Sequence, residues 1–408
     1  MLDFKPSKEN PLVIWAGRWM LPFLMRFFLK VFKVDIDPES LERLKSTHGF
    51  ATVLVPNHVT DADPYVMFAL STRLGERFRY MTAQESFYTH AGGRLRGFFL
   101  QRLGCYSVVR GAVDRESFRT TREILTKGEQ KLVIFAEGEI SHQNDTVMPF
   151  ESGVVQLCFW AMDDMKKTGE VKPVYLVPVA IKYAYQKEMW GEIGKGVTTL
   201  ERKILPKGSS PPEDLYDRLR NVGAILVGTL AKEYQLRLRE NDSLNERIQQ
   251  LREHILSQIE DFMEIVPQPE STPLKRVRTI RNRIDEEVYR EVDEMTEYEK
   301  EIHEQRLDTF RQFYIDLNRV INFIAIYDGY VREKPSPERF LEVIARLEIE
   351  VFGRSKPKGP ITAFLRVGTP QNLLDVYETY KKEKRHITQQ VTLELETAVQ
   401  NLISGMSN

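Results

Sequence analysis

Cysteine is scarce: Cys105 and Cys158 are the only two among 408 residues, and each lies inside an apolar segment. That scarcity excludes a disulfide framework and points to a reducing compartment, with both thiols acting as small packing residues. Net charge is lacking too, since 58 Lys plus Arg against 59 Asp plus Glu leave −1. No global field favours nucleic acid, so an anionic partner has to be met by a local cluster. There is also no uncharged apolar run of the roughly 20 residues that a spanning helix needs. The apolar stretch 11–34 is interrupted by Arg18, Arg26, Lys30 and Lys33, and it has no small-residue cleavage site of the kind a signal peptide carries. Internal repeats and low-complexity tracts are absent as well.

What is present is ordinary globular composition, 42% hydrophobic with 10% aromatic residues, over a length that suits two or three compact units. The stretch 11–34 sets Trp15, Trp19, Phe23, Phe27, Phe28 and Phe32 beside its four cations. An interfacial helix uses that mixture, with rings at headgroup depth and cations on anionic lipid. Residues 1–34 are therefore expected to bind a membrane surface, making the protein peripheral or monotopic on its cytoplasmic face. Beyond Asp35, short β-rich runs at 51–55, 78–82, 105–109, 132–135 and 175–181 alternate with helical patterns. Such alternation predicts the α/β class, a mixed and mostly parallel sheet flanked by helices over residues 35–185.

After Ile181 the pattern breaks at Gly191, Gly194, Gly196 and the proline-rich 206–212, and the chain turns charged and helical. Phe310, Phe313, Tyr314, Leu317, Val320 and Ile321 keep one apolar stripe, and Ser336-Pro337 opens another helix that should stop at Gly353. The β signal returns at 361–367, after which Thr369-Pro370 is expected to open a helix, with a last helix at 387–403. A lone strand cannot satisfy its own backbone groups, so 361–367 should join the N-terminal sheet. Residues 186–359 then become a large all-α insertion, and 360–408 the last core strand with closing helices.

The chemistry is concentrated where the run 51–55 meets Pro56. Asn57, His58, Thr60, Asp61 and Asp63 follow within seven residues, before an apolar pattern at helical spacing. His58 sits at a strand exit with Asp63 five residues on, a plausible general base with the acid that fixes its tautomer. Asp61 competes for the same imidazole, and Asp63 before Pro64 is also a natural helix cap. Three more clusters end strands: Ser107 to Arg110 with Asp114-Arg115 after it, Phe135 to Ser141, and Val177-Pro178-Val179.

In this order and spacing the chain resembles the glycerolipid acyltransferases, PlsC-like enzymes that acylate glycerol phosphate or lysophosphatidate. Asn57, His58 and Asp63 match the first block and Arg110 the second. The third block, usually Phe-Pro-Glu-Gly-Thr-Arg-Ser, is matched by Phe135-Ala-Glu-Gly-Glu-Ile-Ser141, with Pro149, Phe150 and Gly153 kept downstream, and Val177-Pro178-Val179 matches the fourth. The resemblance covers about residues 51–183. It implies that His58 deprotonates an acceptor hydroxyl attacking an acyl thioester while Asp63 orients the ring. It also implies that Asn57, Arg110, Glu137, Gly138 and Ser141 serve substrate, and that acyl-CoA or acyl-carrier protein is a co-substrate, with no resident cofactor and no metal.

Two departures stand out. Glu139 and Ile140 replace the usual threonine and phosphate-binding arginine, and the strand ending Arg366-Val-Gly-Thr-Pro370 comes much later than in the family. Readings that remain open are a same-fold acyltransferase or transacylase with another lysolipid acceptor, and a non-enzymatic membrane-binding scaffold. A metal-dependent hydrolase using His58, Asp61, Asp63, Glu137, His142 and Asp145 is the third.

Overall fold

Eight strands form one sheet in the computed structural model, which describes residues 4–88, 93–109, 114–206, 208–239, 241–288, 296–325 and 327–406. In chain order the strands are β1 Val31–Ile36, β2 Ala51–Pro56, β3 Phe78–Ala83, β4 Cys105–Val108, β5 Lys131–Val133, β6 Val174–Tyr185, β7 Ile361–Val367 and β8 Gln371–Asn372. Their order across the sheet is β1-β7-β6-β2-β5-β3-β4, with β8 paired to β6. The ladders of β2 with β5 and β6, of β3 with β4 and β5, and of β1 with β7 are parallel, while β6 runs antiparallel to β7 and β8. This is the mixed, mostly parallel sheet that the alternating pattern predicts.

The central strand β2 is buried along its whole length. It reads as a continuous apolar run because both faces are covered. Side chains alternate between faces. Val53 and Val55 therefore pack against helices Gly153–Thr168 and Lys384–Gly405, and Leu54 joins Val66, Met67 and Leu70 of helix Asp63–Leu74 on the other side. Both cysteines are buried, and burial pushes each thiol up to about 12. Among the described residues, no helix is long and apolar enough to cross a membrane.

Three expectations are corrected here. The segment 11–34 is a helix only over Pro11–Phe28. Its end belongs to β1, which pairs with Ile361 to Leu365 of β7. As an edge strand whose single partner lies far along the sequence, β1 leaves little local signal. The sheet therefore begins at Val31, before the expected boundary at residue 35. After β7 the helix opens at Leu374 and not at Thr369, because Gln371 and Asn372 first pair with Leu176 and Tyr175.

The chain divides into two compact units, Asp3–Lys187 with Gly359–Asn408, and Glu188–Lys358. The sheet lies in the first. The second is helical, with its long helices at Trp190–Ile204, Leu215–Glu233, Leu244–Phe262, Pro273–Val288, Glu297–Ala325 and Pro337–Phe352. Local signals set its helix ends: Ser243 and Glu246 form a reciprocal capping box, Ser336 accepts from the Arg339 amide, and Gly353 closes its helix in the left-handed conformation at φ 71°.

Candidate active site

The site is built at the end of β2, where the backbone ladder stops and side chains take over. Pro56 is the last residue of β2 in register with β6, opposite Val179. The Asn57 amide then acts as a substitute peptide group: Nδ2 donates to Ile181 O at 2.9 Å, and Oδ1 accepts from Ile181 N at 2.7 Å. Asn144 does the same two residues further along β6, donating to Tyr183 O at 2.6 Å and accepting from Tyr183 N at 2.7 Å. With the edge of β6 satisfied in this way, the main chain can turn away at residue 58 without leaving buried donors or acceptors unpaired.

The His58 peptide is clamped on both sides by the segment after β5. Its N–H donates to Glu137 Oε1 at 2.9 Å, and its carbonyl accepts from Ser141 N at 2.7 Å and Ser141 Oγ at 2.9 Å. Gly138, at φ 70°, lets that segment close tightly, its N–H donating to Phe135 O at 3.1 Å. Phe135 stacks on the imidazole with centroids 4.3 Å apart.

The ring itself is oriented by Asp63. Nδ1 donates to Asp63 Oδ2 at 2.8 Å, and the same oxygen accepts from Thr60 N at 2.8 Å. An ionised carboxylate only accepts, so the Nδ1 proton is fixed and Nε2 carries the lone pair. Asp63 has no exposed surface, whereas the His58 side chain is 16% exposed. The pair is thus a buried acid behind a partly exposed base.

Glu137 is fully buried. Burial pushes its carboxyl up to about 8, against hydrogen bonds from the His58 and Met148 amides, and the charge of Asp63 pushes it further in the same direction. A large share of Glu137 is therefore protonated at neutral pH.

Asn57, His58, Asp63, Glu137, Gly138 and Ser141 are brought together, though not with the division of labour expected from the sequence. Asn57, Glu137 and Ser141, expected to serve substrate, have buried side chains that bond to backbone groups, Asn57 to Ile181 of β6 and the other two to His58. Their polar atoms replace ladder partners that a strand end lacks. Arg110 lies outside the described residues, while Arg115 is exposed at the start of helix Arg115–Lys127. Glu139 is buried and Ile140 half-buried.

Asp61 is exposed, and the imidazole pairs with Asp63. Nor does Asp63 cap its helix: it is the first helical residue, behind Ala62, and its carboxylate turns back to Thr60 and His58. Among the described residues no three His, Cys, Asp or Glu side chains form a group that could hold a metal ion, so the six candidate ligands do not converge.

Sequence reasoning missed Tyr183 and Asn144. Tyr183 donates its hydroxyl to Asp63 Oδ1 at 2.5 Å. In the sequence it is one more residue of an apolar strand, and Asn144 one more polar residue of a loop.

Residues 36–182 match a family model described as Acyltransferase. No curated protein matches the chain.

Proposed function

We propose, from the premise that this chain belongs through residues 36–182 to the acyltransferase family and is an O-acyltransferase, that His58 is its general base and a glycerophosphate its acceptor. In this reading Nε2 takes the proton of a hydroxyl on glycerol 3-phosphate or lysophosphatidate as that oxygen attacks the carbonyl of an acyl thioester. The C–S bond of the tetrahedral adduct then breaks, the imidazolium returns the proton to the leaving thiolate, and an O-ester and a free thiol depart. Asp63 stabilises the imidazolium in between. No acyl-enzyme is needed. The donor is acyl-CoA or acyl-carrier protein, and no cofactor takes part. The observation that carries the reading is the His58–Asp63 pair at 2.8 Å, with the acid fully buried and the imidazole side chain 16% exposed.

The acceptor is tested by incubating the purified protein with labelled acyl-CoA or acyl-carrier protein and, separately, glycerol 3-phosphate, lysophosphatidate and other lysophospholipids. Label in lysophosphatidate or phosphatidate is expected. Label confined to another lysolipid would replace the glycerophosphate acceptor, an outcome that Ile140 makes worth testing because it stands where the family carries a phosphate-binding arginine.

The same reading places the reaction at a membrane surface. Helix Pro11–Phe28 buries Ile14, Leu21 and Met25 but exposes Trp15, Trp19, Phe23, Phe27 and Phe28, with Trp19 80% exposed. Large exposed aromatics beside cations suit the headgroup region of anionic lipid. Trp15→Ala with Trp19→Ala should release the protein from anionic vesicles in a sedimentation assay, and unchanged sedimentation would remove the lipid surface from the proposal. Point variants are needed because truncation through residue 34 would take away part of β1.

A further inference from the structure

We infer that Tyr183 is a positioning residue: by holding Asp63 Oδ1 it fixes the carboxylate that orients His58 and tempers that carboxylate's grip on the imidazolium. The inference rests on the reading of His58 as general base.

Asp63 meets donors on both oxygens. Oδ2 accepts from His58 Nδ1 and Thr60 N, each at 2.8 Å, and Oδ1 accepts from the Tyr183 hydroxyl at 2.5 Å. Two donors on one oxygen leave the carboxylate free to twist about its Cβ–Cγ bond. A donor on the other oxygen removes that freedom, and the imidazole plane is set with it. Among the described residues, His58 is the only cation-forming partner in an ion pair with Asp63. Hydrogen bonds therefore do much of the work of holding this buried carboxylate in place.

Tyr183 is itself rigidly placed. It is buried, its backbone pairs with Ala363 of β7, and its N–H and C=O are held by the Asn144 amide on the opposite edge. Burial and the neighbouring Asp63 charge hold its hydroxyl far above the usual tyrosine range, so it remains a neutral donor at every working pH. The titratable groups facing Asp63 are His58 from the turn after β2, Tyr183 from β6, and Glu137 from the turn after β5. Of these, His58 is the group that takes the substrate proton in the proposed reaction.

Loss of the tyrosine hydroxyl leaves more negative charge on the Asp63 oxygen that faces His58. The imidazolium is then held more tightly, and a higher pH is needed to free the base. Asp63 also gains rotational freedom, which lowers turnover without altering how substrates are held. A tyrosine that served packing alone would change stability and leave the pH profile where it was.

The test is Tyr183→Phe in the full chain, which keeps the ring that fills the core. With the acyl donor and acceptor identified by labelling, KM should stay within about twofold and kcat should fall about tenfold, as for loss of a hydrogen bond to a charged group. The acid limb of kcat/KM against pH should move up by about half a unit. In an Asp63→Asn background the same substitution should cost less than about twofold, because the group it acts through is already changed. An acid limb that stays put, or an equal loss in both backgrounds, overturns the inference. His58→Ala separates the two readings. If it retains turnover, the base assignment falls; if it is inactive while Tyr183→Phe matches wild type, only the role of Tyr183 falls.

Discussion

Where β2 ends in the α/β unit, three polar side chains bond to backbone: Asn57 to Ile181, Asn144 to Tyr183, and Ser141 to His58. In the helical unit, three arginines bond to carboxylates of other helices. Arg276 grips Glu260 at 2.8 and 2.6 Å, Arg218 grips Glu201 at 2.9 and 2.6 Å, and Arg319 reaches Glu350 at 2.8 Å. The difference follows from how each element satisfies itself. A strand that ends inside a sheet leaves N–H and C=O groups of its neighbour unpaired, and a side-chain amide can replace the missing peptide. A helix bonds its own backbone, so its polar side chains are free to pair with those of a neighbouring helix. Only the first arrangement places a reactive ring at the point where the backbone runs out.

Four experiments can break or sharpen that contrast. His58→Ala should lower kcat by about 10²- to 10⁴-fold, the usual worth of a general base, with little change in melting temperature. More than about a tenth of wild-type kcat would remove His58 from that role.

Glu260→Ala tests the other unit. Among the described residues it leaves the half-buried Arg276 with the more exposed Glu253, and should cost about 3–5 kcal/mol in denaturant unfolding, as breaking a buried ion pair does. A loss under about 1 kcal/mol would make the pair no better than a surface one.

Asn57→Ala orphans one buried N–H and one buried C=O of Ile181. At about 1–3 kcal/mol for each of the two unsatisfied groups, a stability loss of about 2–6 kcal/mol is expected, together with lower turnover because His58 is the next residue. A variant as stable as wild type would mean that water or a shifted backbone replaces the amide.

At acidic pH Glu137→Gln should show the smallest effect of the four, and one that grows as pH rises. The folded chain keeps the Glu137 proton to about 8, whereas the unfolded chain releases it near 4.5. Between those values the unfolded state binds fewer protons, so stability is fullest below pH 4.5 and is lost as pH rises toward 8. Thermal melts of wild type should therefore fall relative to Glu137→Gln across that window. Parallel curves would place the Glu137 carboxyl in its ordinary range.

The fold class was legible because its signals are local. Alternating β-rich and helical runs reveal a mostly parallel sheet, and Ser336-Pro337 and Gly353 mark the two ends of one helix within its own sequence. His58 and Asp63 could be read as partners for a similar reason: five residues across one turn bring them to 2.8 Å. The duties of Asn57, Glu137 and Ser141 were not legible, since nothing in a motif tells whether a polar side chain faces a ligand or a neighbouring backbone.

Residue types and their periodicity determined the class of sheet, the ends of several helices and the imidazole with its acid. Tertiary structure alone decided that β1 pairs with β7, that Asn57 stands in for a peptide opposite Ile181, and that Tyr183 donates to Asp63. Each of these joins residues more than 100 positions apart. Hydrophobic periodicity says which face of a strand is buried; it carries no information about which distant strand lies beside it or in what register.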